Sequence, residues 1–318
     1  MKVFTDKWQC WVLLILFCAA CIPAQADEWH FSDVERVVAV GDVHGAYDAL
    51  VATLQSAGVV DDEARWNGGR THLVSTGDLL DRGAESRRVM DLMMRLEQEA
   101  LRAGGKVHQL LGNHEVMNLN ADLRYVADEE YAAYLDMETA EERESWYRHF
   151  RQRRPEDSDE ETVRWEFDEK TPPGFFGHRK AFRSDGRYGK WLLSKPFVVV
   201  INDVAYVHGG LPLLVAEQGL AGVNGKLNED ISGYVQMVEA LQEMQILNPV
   251  DRFREIPVVL QDYAEAGQLH EEAYDGAVQL VDFGASALHG AGGPTWYRGT
   301  VSCNACLLYT SPSPRDED

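Results

Sequence analysis

Three short, strand-like stretches in the first third of the chain are each followed by a glycine. Residues 36–40, 71–76 and 106–111 form these stretches, and the glycines stand at positions 41, 77 and 112. Short, mainly apolar runs that end at a turn residue are typical of buried strands. The pattern therefore predicts three strands at nearly equal intervals.

Between these stretches, apolar residues recur at the spacing of an α-helix. One stripe runs from Tyr47 to Leu54 and is followed by Gly58, and the other lies between Glu85 and Ala103 and is followed by two glycines. Each stripe predicts a helix that packs on one face of a sheet. The order strand, helix, strand is typical of parallel α/β units.

The middle of the chain, residues 119–190, differs in character and is predicted to be an insertion beside the functional site. Residues 129–151 are polar with scattered aromatic side chains, which favours one exposed helix. Residues 155–173 are acidic and poor in aliphatic side chains, which favours a mobile loop. Two interpretations stay open: the insertion helps to choose substrates, or it is only a solvated helix and loop.

Downstream of the insertion, the sequence predicts a β-hairpin and another helix. Residues 197–207 are apolar on both sides of Asn202-Asp203, which indicates a hairpin with its turn at these two residues. The hairpin leads to His208, which two glycines follow. Apolar residues at helical spacing predict an amphipathic helix over residues 231–247.

Polar residues follow each of the first three predicted strands at once. Those with metal-binding side chains are Asp42 and His44, Asp78, and Asn113. Because α/β folds place ligands beyond the carboxyl ends of parallel strands, we expect these side chains at one rim of a sheet. Carboxylate, imidazole and amide oxygen together suit Mn, Fe or Zn better than an all-oxygen Mg or Ca site.

Three motifs make this pattern specific: Gly41-Asp42-Val43-His44-Gly45, Gly77-Asp78-Leu79-Leu80-Asp81-Arg82-Gly83 and Gly112-Asn113-His114-Glu115. In this order they resemble the signature of the phosphoprotein phosphatase (PPP) family of dinuclear metallophosphatases. The segments that resemble its Shewanella-like branch are residues 116–119, 122–126, 177–179, 207–212 and 293–299. The resemblance implies an α/β fold, namely a calcineurin-like two-sheet β-sandwich flanked by helices (αββα) with a helical insertion.

The resemblance also implies two divalent metal ions, Mn, Fe or Zn, and their ligands. Asp42 and His44 would hold the first ion, Asp78 would bridge the two, and Asn113 and His208 would hold the second. Two such ions, roughly 3.5–4 Å apart, lower the pKa of a bridging water, and the resulting hydroxide attacks phosphorus in line. The implied reaction is the hydrolysis of a phosphomonoester.

Further residues take catalytic roles under the same resemblance. His114 would protonate the leaving oxygen as a general acid, and Asp81 would orient and stabilise His114. Arg82 and Arg298 would hold phosphate oxygens, which the guanidinium group matches in shape. Glu115 would support the metal-bound water from a second layer of contacts.

The favoured function is a protein phosphatase that acts on phosphotyrosine or phosphoserine/threonine. A hydrolase of diadenosine tetraphosphate or another small phosphoester is the alternative on the same core, and a non-catalytic phosphate- or peptide-binding protein is the alternative outside enzymes. A zinc protease is rejected because the sequence after His114 lacks the second histidine of His-Glu-x-x-His. His72 and His108, within strands, are interpreted as core or surface residues.

The formal net charge of −22 over 318 residues narrows the expected partners. It disfavours nucleic acid and anionic membrane surfaces. A phosphorylated protein, a phosphopeptide or a small phosphoester would meet overall repulsion, so its site needs local positive charge from metal ions and arginines. The sequence leaves the oligomeric state open.

Residues 1–26 are interpreted as a secretory signal peptide. Two lysines precede an apolar run over residues 10–22, and Ala24-Gln25-Ala26 resembles a cleavage site. The run is short for a membrane span, so no stable anchor is expected after cleavage, with an uncleaved anchor as the alternative. Because no cysteine lies between residues 26 and 302, export to a bacterial periplasm is predicted.

The metallophosphatase domain is predicted to span residues 27–302, and residues 303–318 are predicted to be a non-native tail that resembles translated cloning sequence. Cys303 and Cys306 alone are weak support for zinc. The family normally carries a further metal-binding histidine beyond the segment that corresponds to Trp296-Tyr297-Arg298, and no such motif follows here. We therefore expect a C-terminally truncated domain that holds the second metal poorly.

Overall fold

The computed structural model describes residues 28–269, 271–286 and 289–299. The predicted signal peptide and the predicted tail lie outside the described residues, so both stay predictions. Among the helices of the described ranges, none combines the length and the apolar character that crossing a membrane requires.

Within the described residues, six strands form two sheets of three strands each. The strands are β1 (His30–Phe31), β2 (Val37–Val40), β3 (His72–Ser75), β4 (Lys106–Gln109), β5 (Val198–Ile201) and β6 (Val204–Val207). In the first sheet β2, β3 and β4 are parallel and neighbours in that order. In the second sheet β5 lies between β1, which is parallel to it, and β6, which is antiparallel. The three strands predicted ahead of the motifs are thus confirmed.

Two helices connect the strands of the parallel sheet, as predicted. Helix α1 (Tyr47–Ser56) joins β2 to β3, and α2 (Ser86–Arg102) joins β3 to β4. Both belong to the largest apolar core, in which Leu54, Val89 and Leu96 are fully buried. Full burial of one such side chain is worth about 1.5–3 kcal/mol, so these stripes hold the helices on the sheet.

The two sheets pack against each other through a second, smaller core. Val74 of β3 and Leu110 contact Val199 and Ile201 of β5, and all four are buried. The backbone N–H of Leu111 donates a hydrogen bond to the carbonyl of Pro196 at 3.0 Å, which links the chain after β4 to the second sheet. The predicted two-sheet sandwich flanked by helices is therefore confirmed.

The predicted hairpin is also confirmed, since β5 and β6 pair from Val198–Val207 to Ile201–Val204. Asn202 and Asp203 form its two-residue turn with φ values of 49° and 65°. Asparagine and aspartate tolerate this left-handed backbone better than most residues do, and such turns suit the twist of a hairpin.

Residues 119–190, the predicted insertion, are more structured than the sequence suggested. After α3 (Asn113–Leu119), the helices of the insertion are α4 (Asp128–Ala132), a 3₁₀ turn (Leu135–Met137), α5 (Ala140–Gln152), α6 (Glu160–Lys170), α7 (Phe175–Ala181) and α8 (Arg187–Leu192). The prediction of one helix over residues 129–151 was wrong. Helix α4 ends at Ala132, and Glu138 and Thr139 are extended. The side chain of Thr139 accepts a hydrogen bond from the Glu142 N–H, which starts α5.

The prediction of a mobile loop over residues 155–173 was also wrong, because α6 fills most of it. Asp159 caps this helix by accepting the Thr162 N–H at 2.8 Å. Val163 and Phe167, four residues apart, are buried on one face of the helix. The many acidic residues concealed this short apolar stripe, which packs with α5 and α7 in a separate aromatic cluster.

The remaining helices are α9 (Leu213–Ala216), α10 (Gly219–Glu243), α11 (Ile256–Glu265) and α12 (Glu271–Ala285). The helix predicted over residues 231–247 overlaps α10 over residues 231–243, but α10 begins much earlier, at Gly219. It ends at Glu243, since Gln245 takes a left-handed φ of 57°. Helix α10 packs on α12 and, near its start, on β5.

Candidate active site

The residues predicted to bind metal come together where the two sheets meet. Asp42, His44 and Asp78 follow β2 and β3, and His208 follows β6. Asn113 follows β4 as the first residue of α3.

Glycines allow the strand-end loops to approach one another closely. A Cβ on Gly77, whose φ is 100°, would lie 2.3 Å from the backbone nitrogen of Gly112. A Cβ on Gly112 would lie 2.2 Å from Oδ1 of Asp78. Any side chain at either position would therefore push the loops apart.

Several site residues hold a left-handed backbone, which is uncommon outside glycine. These residues are Asp42 (φ 54°), His44 (48°), Asp78 (57°), Asp81 (70°) and Arg82 (67°). Each such conformation costs about 1–3 kcal/mol and persists only where the surroundings fix it. Backbone strain is therefore concentrated in the two loops that carry most of the predicted site.

Asp78 lies at the centre of the cluster. Its Oδ2 is 3.4 Å from Nε2 of His208 and 3.8 Å from Nε2 of both His44 and His114. Its Oδ1 accepts the backbone N–H of His114 at 3.0 Å. Three imidazoles thus face one buried carboxylate oxygen.

Of the imidazole nitrogens that face Asp78, the buried Nε2 of His44 has no hydrogen-bond partner among the described residues, so its lone pair is available to a cation. His44 uses Nδ1 on the carbonyl of Leu80, 2.9 Å away. His208 places Nδ1 3.2 Å from the carbonyl of Thr76 and Nε2 3.0 Å from Oδ1 of Asn113. An orphaned nitrogen among carboxylate and amide oxygens fits a divalent metal.

Two triads of side chains have donor atoms close enough to share an ion. One triad is His44, Asp78 and His114; the other is Asp42, Asp78 and His208. Both contain Asp78, which agrees with its expected bridging place. The exposed Asp42 lies nearer His208 than the resemblance implies, with Oδ1 3.8 Å from His208 Nδ1.

His114 and Asp81 form a tight buried pair. Nδ1 of His114 lies 2.6 Å from Oδ2 of Asp81, and the other oxygen of Asp81 accepts the side-chain N–H of Asn118 at 2.8 Å. Burial alone would lower the pKa of His114, but the Asp81 hydrogen bond and the charges of Asp78 and Asp81 outweigh it and raise that pKa. The pair therefore favours a protonated imidazole.

The two arginines of the predicted site differ in their surroundings. Nη2 of Arg82 lies 3.4 Å from Nε2 of His114. Arg298 lies beside Gly209, at the edge of the cluster, where its Nη1 donates to the carbonyls of Thr295 and Tyr297. Only Arg82 therefore touches the His114 pair in this arrangement.

Glu115 differs from its predicted role beside a metal-bound water. It is fully buried, and its two carboxylate oxygens accept the backbone N–H groups of Asp78, Leu79 and Gly112, each at 2.8 Å. These bonds tie the loop after β3 to the start of α3. Burial and the charge of Asp78 raise the pKa of Glu115, against the opposing effect of the three donors.

Sequence reasoning missed the residues that hold Asp81 in place. Its backbone N–H donates to Oγ of Ser86 at 3.2 Å. The buried Glu130 of the insertion then accepts the N–H groups of Ser86 and Arg87, at 2.8 Å and 3.0 Å. Asn118 could have been found, since it lies one helical turn after His114, but no local signal marks Glu130.

The insertion also reaches the site through Tyr125. Its carbonyl accepts the N–H of Arg82 at 2.8 Å. Its ring, which remains 43% exposed, lies 5.2 Å from the ring of His114. The insertion thus contributes both buried support and part of the exposed wall.

Comparison with known proteins places this geometry in a family. Residues 35–267 match the family model described as calcineurin-like phosphoesterase. The chain is 34% identical to Shewanella-like protein phosphatase 2 of Arabidopsis thaliana over 220 residues, which cover 64% of this chain and 53% of that protein. It is 25% identical to Shewanella-like protein phosphatase 1 of Plasmodium berghei over 191 residues, covering 60% and 43% of the two chains.

Solved structures agree with these relatives. The cold-active protein-tyrosine phosphatase of a psychrophilic Shewanella species aligns with a TM-score of 0.52 and 26% identity, covering 89% of this chain and 61% of that one. The chain spans about half the length of the two Shewanella-like protein phosphatases that it matches. The family match, the metal-binding cluster and the sandwich fold lead to one conclusion: the chain belongs to the calcineurin-like phosphoesterase family and resembles its Shewanella-like protein phosphatases.

Proposed function

We propose that this chain is a metal-dependent phosphomonoester hydrolase, and that its substrates are proteins or peptides phosphorylated on tyrosine or on serine and threonine. One observation carries the proposal. Asp42, His44, Asp78, Asn113 and His208 follow four different strands and gather beside the His114–Asp81 pair. Metal ligands next to a general acid are what hydrolysis of a phosphate ester needs.

Two divalent ions, Mn, Fe or Zn, are part of the proposal. Asp42 and His44 would hold one, Asn113 and His208 the other, and Asp78 both. When bound, the ions would supply Lewis acidity and an activated water. The mixed set of imidazole, carboxylate and amide donors, together with the orphaned Nε2 of His44, supports such ions over an all-oxygen site.

The proton for the leaving group would come from Nε2 of His114. Asp81 fixes the other ring nitrogen as a donor, so Nε2 is the atom left to face the substrate. Cations beside Asp78 would offset the pull of that carboxylate on the imidazolium. The hydrogen bond that His114 Nδ1–H donates to the Asp81 carboxylate would still favour the protonated ring.

Arg82 and Arg298 are proposed to bind the phosphate oxygens. Arg82 already lies beside His114. Arg298 would have to break its hydrogen bonds to the carbonyls of Thr295 and Tyr297 to bind the phosphate. The positive charge of the two arginines would offset the repulsion between a phosphate and a chain of net charge −22.

Export is a separate part of the proposal. The lysines, apolar run and Ala24-Gln25-Ala26 of the N-terminal segment, with the cysteine-free residues 27–302, support a periplasmic enzyme. Cleavage after Ala26 would be found by N-terminal sequencing of the protein exported from a bacterial host.

The function is tested by turnover of p-nitrophenyl phosphate, phosphotyrosine and phosphoserine peptides and diadenosine tetraphosphate with added Mn²⁺. We expect phosphopeptide hydrolysis that Asp78→Asn abolishes and that Asp48→Asn, an exposed residue on α1, leaves unchanged. Fast dinucleotide cleavage with negligible phosphopeptide turnover would favour the small-substrate alternative. No turnover of any substrate would contradict the proposed enzyme.

A further inference from the structure

A cavity lies apart from the metal-binding cluster, between α5, α7 and α10. Its volume is about 240 Å³, and none of the residues predicted for the active site lines it. Much of the wall is apolar, with Leu119, Phe176, Phe182 and Val235 buried around it. The volume is below the roughly 300–1,000 Å³ of pockets for drug-sized ligands, so any occupant would be small.

The charged groups in the wall are not all paired. The carboxylate of Glu239 accepts the N–H and the hydroxyl of Ser184, both at 2.6 Å. Arg183 lies 3.5 Å from both Asp185 and Glu243. These groups largely neutralise one another, so they leave little charge to offer a ligand.

Arg179 and the exposed Lys180 are the exceptions among the described residues, and Arg179 is the more enclosed of the two. In the described part of the chain, its guanidinium makes one hydrogen bond, from Nη1 to the carbonyl of Asn118 at 2.8 Å, and no ion pair with a carboxylate. Burial lowers the pKa of Arg179 to about 10. A half-buried guanidinium without a carboxylate partner is incompletely solvated and unpaired, and an incoming anion would compensate for this.

We propose that this cavity binds a small amphipathic monocarboxylate, whose carboxylate pairs with the Arg179 guanidinium while its apolar body packs on Leu119, Phe176 and Val238. The planar guanidinium fork matches a carboxylate in two parallel hydrogen bonds. Glu142 and Glu239 in the same wall disfavour a second negative charge on the ligand. One charge and a short apolar body are therefore the chemistry that fits.

The proposed ligand would lie close to the catalytic pair without touching it. Asn118, whose carbonyl binds Arg179, donates its side-chain N–H to Asp81 and to the carbonyl of His114. An occupant that draws the guanidinium towards itself would therefore change the hydrogen bond between Arg179 and the carbonyl of Asn118. The inference goes beyond the proposed phosphatase function and stands independently of it.

The test is calorimetric titration of the full chain with phenylacetate and with its uncharged analogue, phenylacetamide. We expect saturable binding of phenylacetate, at least tenfold weaker binding of phenylacetamide, and at least tenfold weaker phenylacetate binding to Arg179→Met. Arg148→Met removes an exposed arginine of α5 that does not line the cavity, and it should bind like the unaltered chain.

A second variant keeps the test decisive if Arg179→Met fails to fold. Val238→Phe fills the cavity and leaves Arg179 in place, so it too should weaken phenylacetate binding at least tenfold. Absence of saturable binding to the unaltered chain would overturn the proposal. So would equal affinity in Arg179→Met or Val238→Phe, since the carboxylate would then bind elsewhere.

Discussion

The strand-end loops of the site and the insertion both fix the positions of Asp81 and Arg82, but they do so by different means. The strand-end loops use their own backbone: glycines with no room for a Cβ, and left-handed residues such as Asp78. The insertion uses groups that lie far along the chain, the carboxylate of Glu130 and the carbonyl of Tyr125.

This difference explains why one region carries motifs and the other does not. A left-handed turn with a close neighbouring backbone restricts several adjacent residues at once, and that restriction is visible as a short motif. A single buried carboxylate such as Glu130 restricts only itself. Function can therefore depend on both regions although only one is recognisable locally.

After Asp78→Asn, which should abolish turnover, the largest effect is expected from His114→Asn, which removes the proposed acid from the strand-end loops. The loss of kcat/KM should be about 10²–10⁴-fold for an alkyl phosphate, whose leaving group needs a proton. The loss should be much smaller for p-nitrophenyl phosphate, because its p-nitrophenolate group leaves readily as an anion. Equal losses for both substrates would show that His114 has another role.

Gly112→Ala tests the close approach of the loops. Its Cβ would meet Oδ1 of Asp78, so we expect about 1–3 kcal/mol lower unfolding free energy and at least tenfold lower turnover. Gly225→Ala, at an exposed position of α10 with open space, should instead stabilise by up to about 1 kcal/mol. Denaturant unfolding of both variants measures the contrast, and similar effects would contradict it.

Glu130→Gln tests whether the insertion supports catalysis from a distance. An amide can accept only through its oxygen, so one N–H of Ser86 or Arg87 loses its partner, at about 1–3 kcal/mol of unfolding free energy. Because Ser86 in turn holds Asp81, we expect a severalfold loss of alkyl phosphate turnover. Turnover of p-nitrophenyl phosphate should be less affected.

Glu129→Gln is the matched control, because Glu129 is exposed on the same helix. It should leave stability and turnover unchanged. If Glu130→Gln lowers stability and leaves the ratio of alkyl to p-nitrophenyl turnover unaltered, then Glu130 only supports folding.

The smallest effect is expected in the outer part of the insertion. Asp159→Ala removes the cap of α6 and should lower the unfolding free energy by about 1 kcal/mol without changing kcat or KM. A thermal melt together with steady-state kinetics checks this. A change in KM for phosphopeptides would instead link α6 to substrate choice.

Much of the core could be predicted, because the stripe of α2 and the glycine-ended strands follow local rules. The helices of the insertion could not, since Thr139 and Asp159 start helices by single side-chain caps inside long polar stretches. In the site, the short motifs were enough to predict Asp78 and His114.

The supporting contacts could not be predicted from local sequence. Glu130 lies 44 residues from Ser86 along the chain, and only the packing of α4 beside α2 brings the two together. The three backbone bonds of Glu115 likewise depend on how closely the loops approach, which gave this residue a role different from the expected one.

The central claim is that donors from separate strands gather around Asp78 to hold divalent ions. Titration of the full chain with Mn²⁺, followed by electron paramagnetic resonance of the free ion, tests it most directly. The account predicts saturable binding that Asp78→Asn abolishes and that Asp48→Asn retains. Mn²⁺ binding that is unchanged in Asp78→Asn would contradict it.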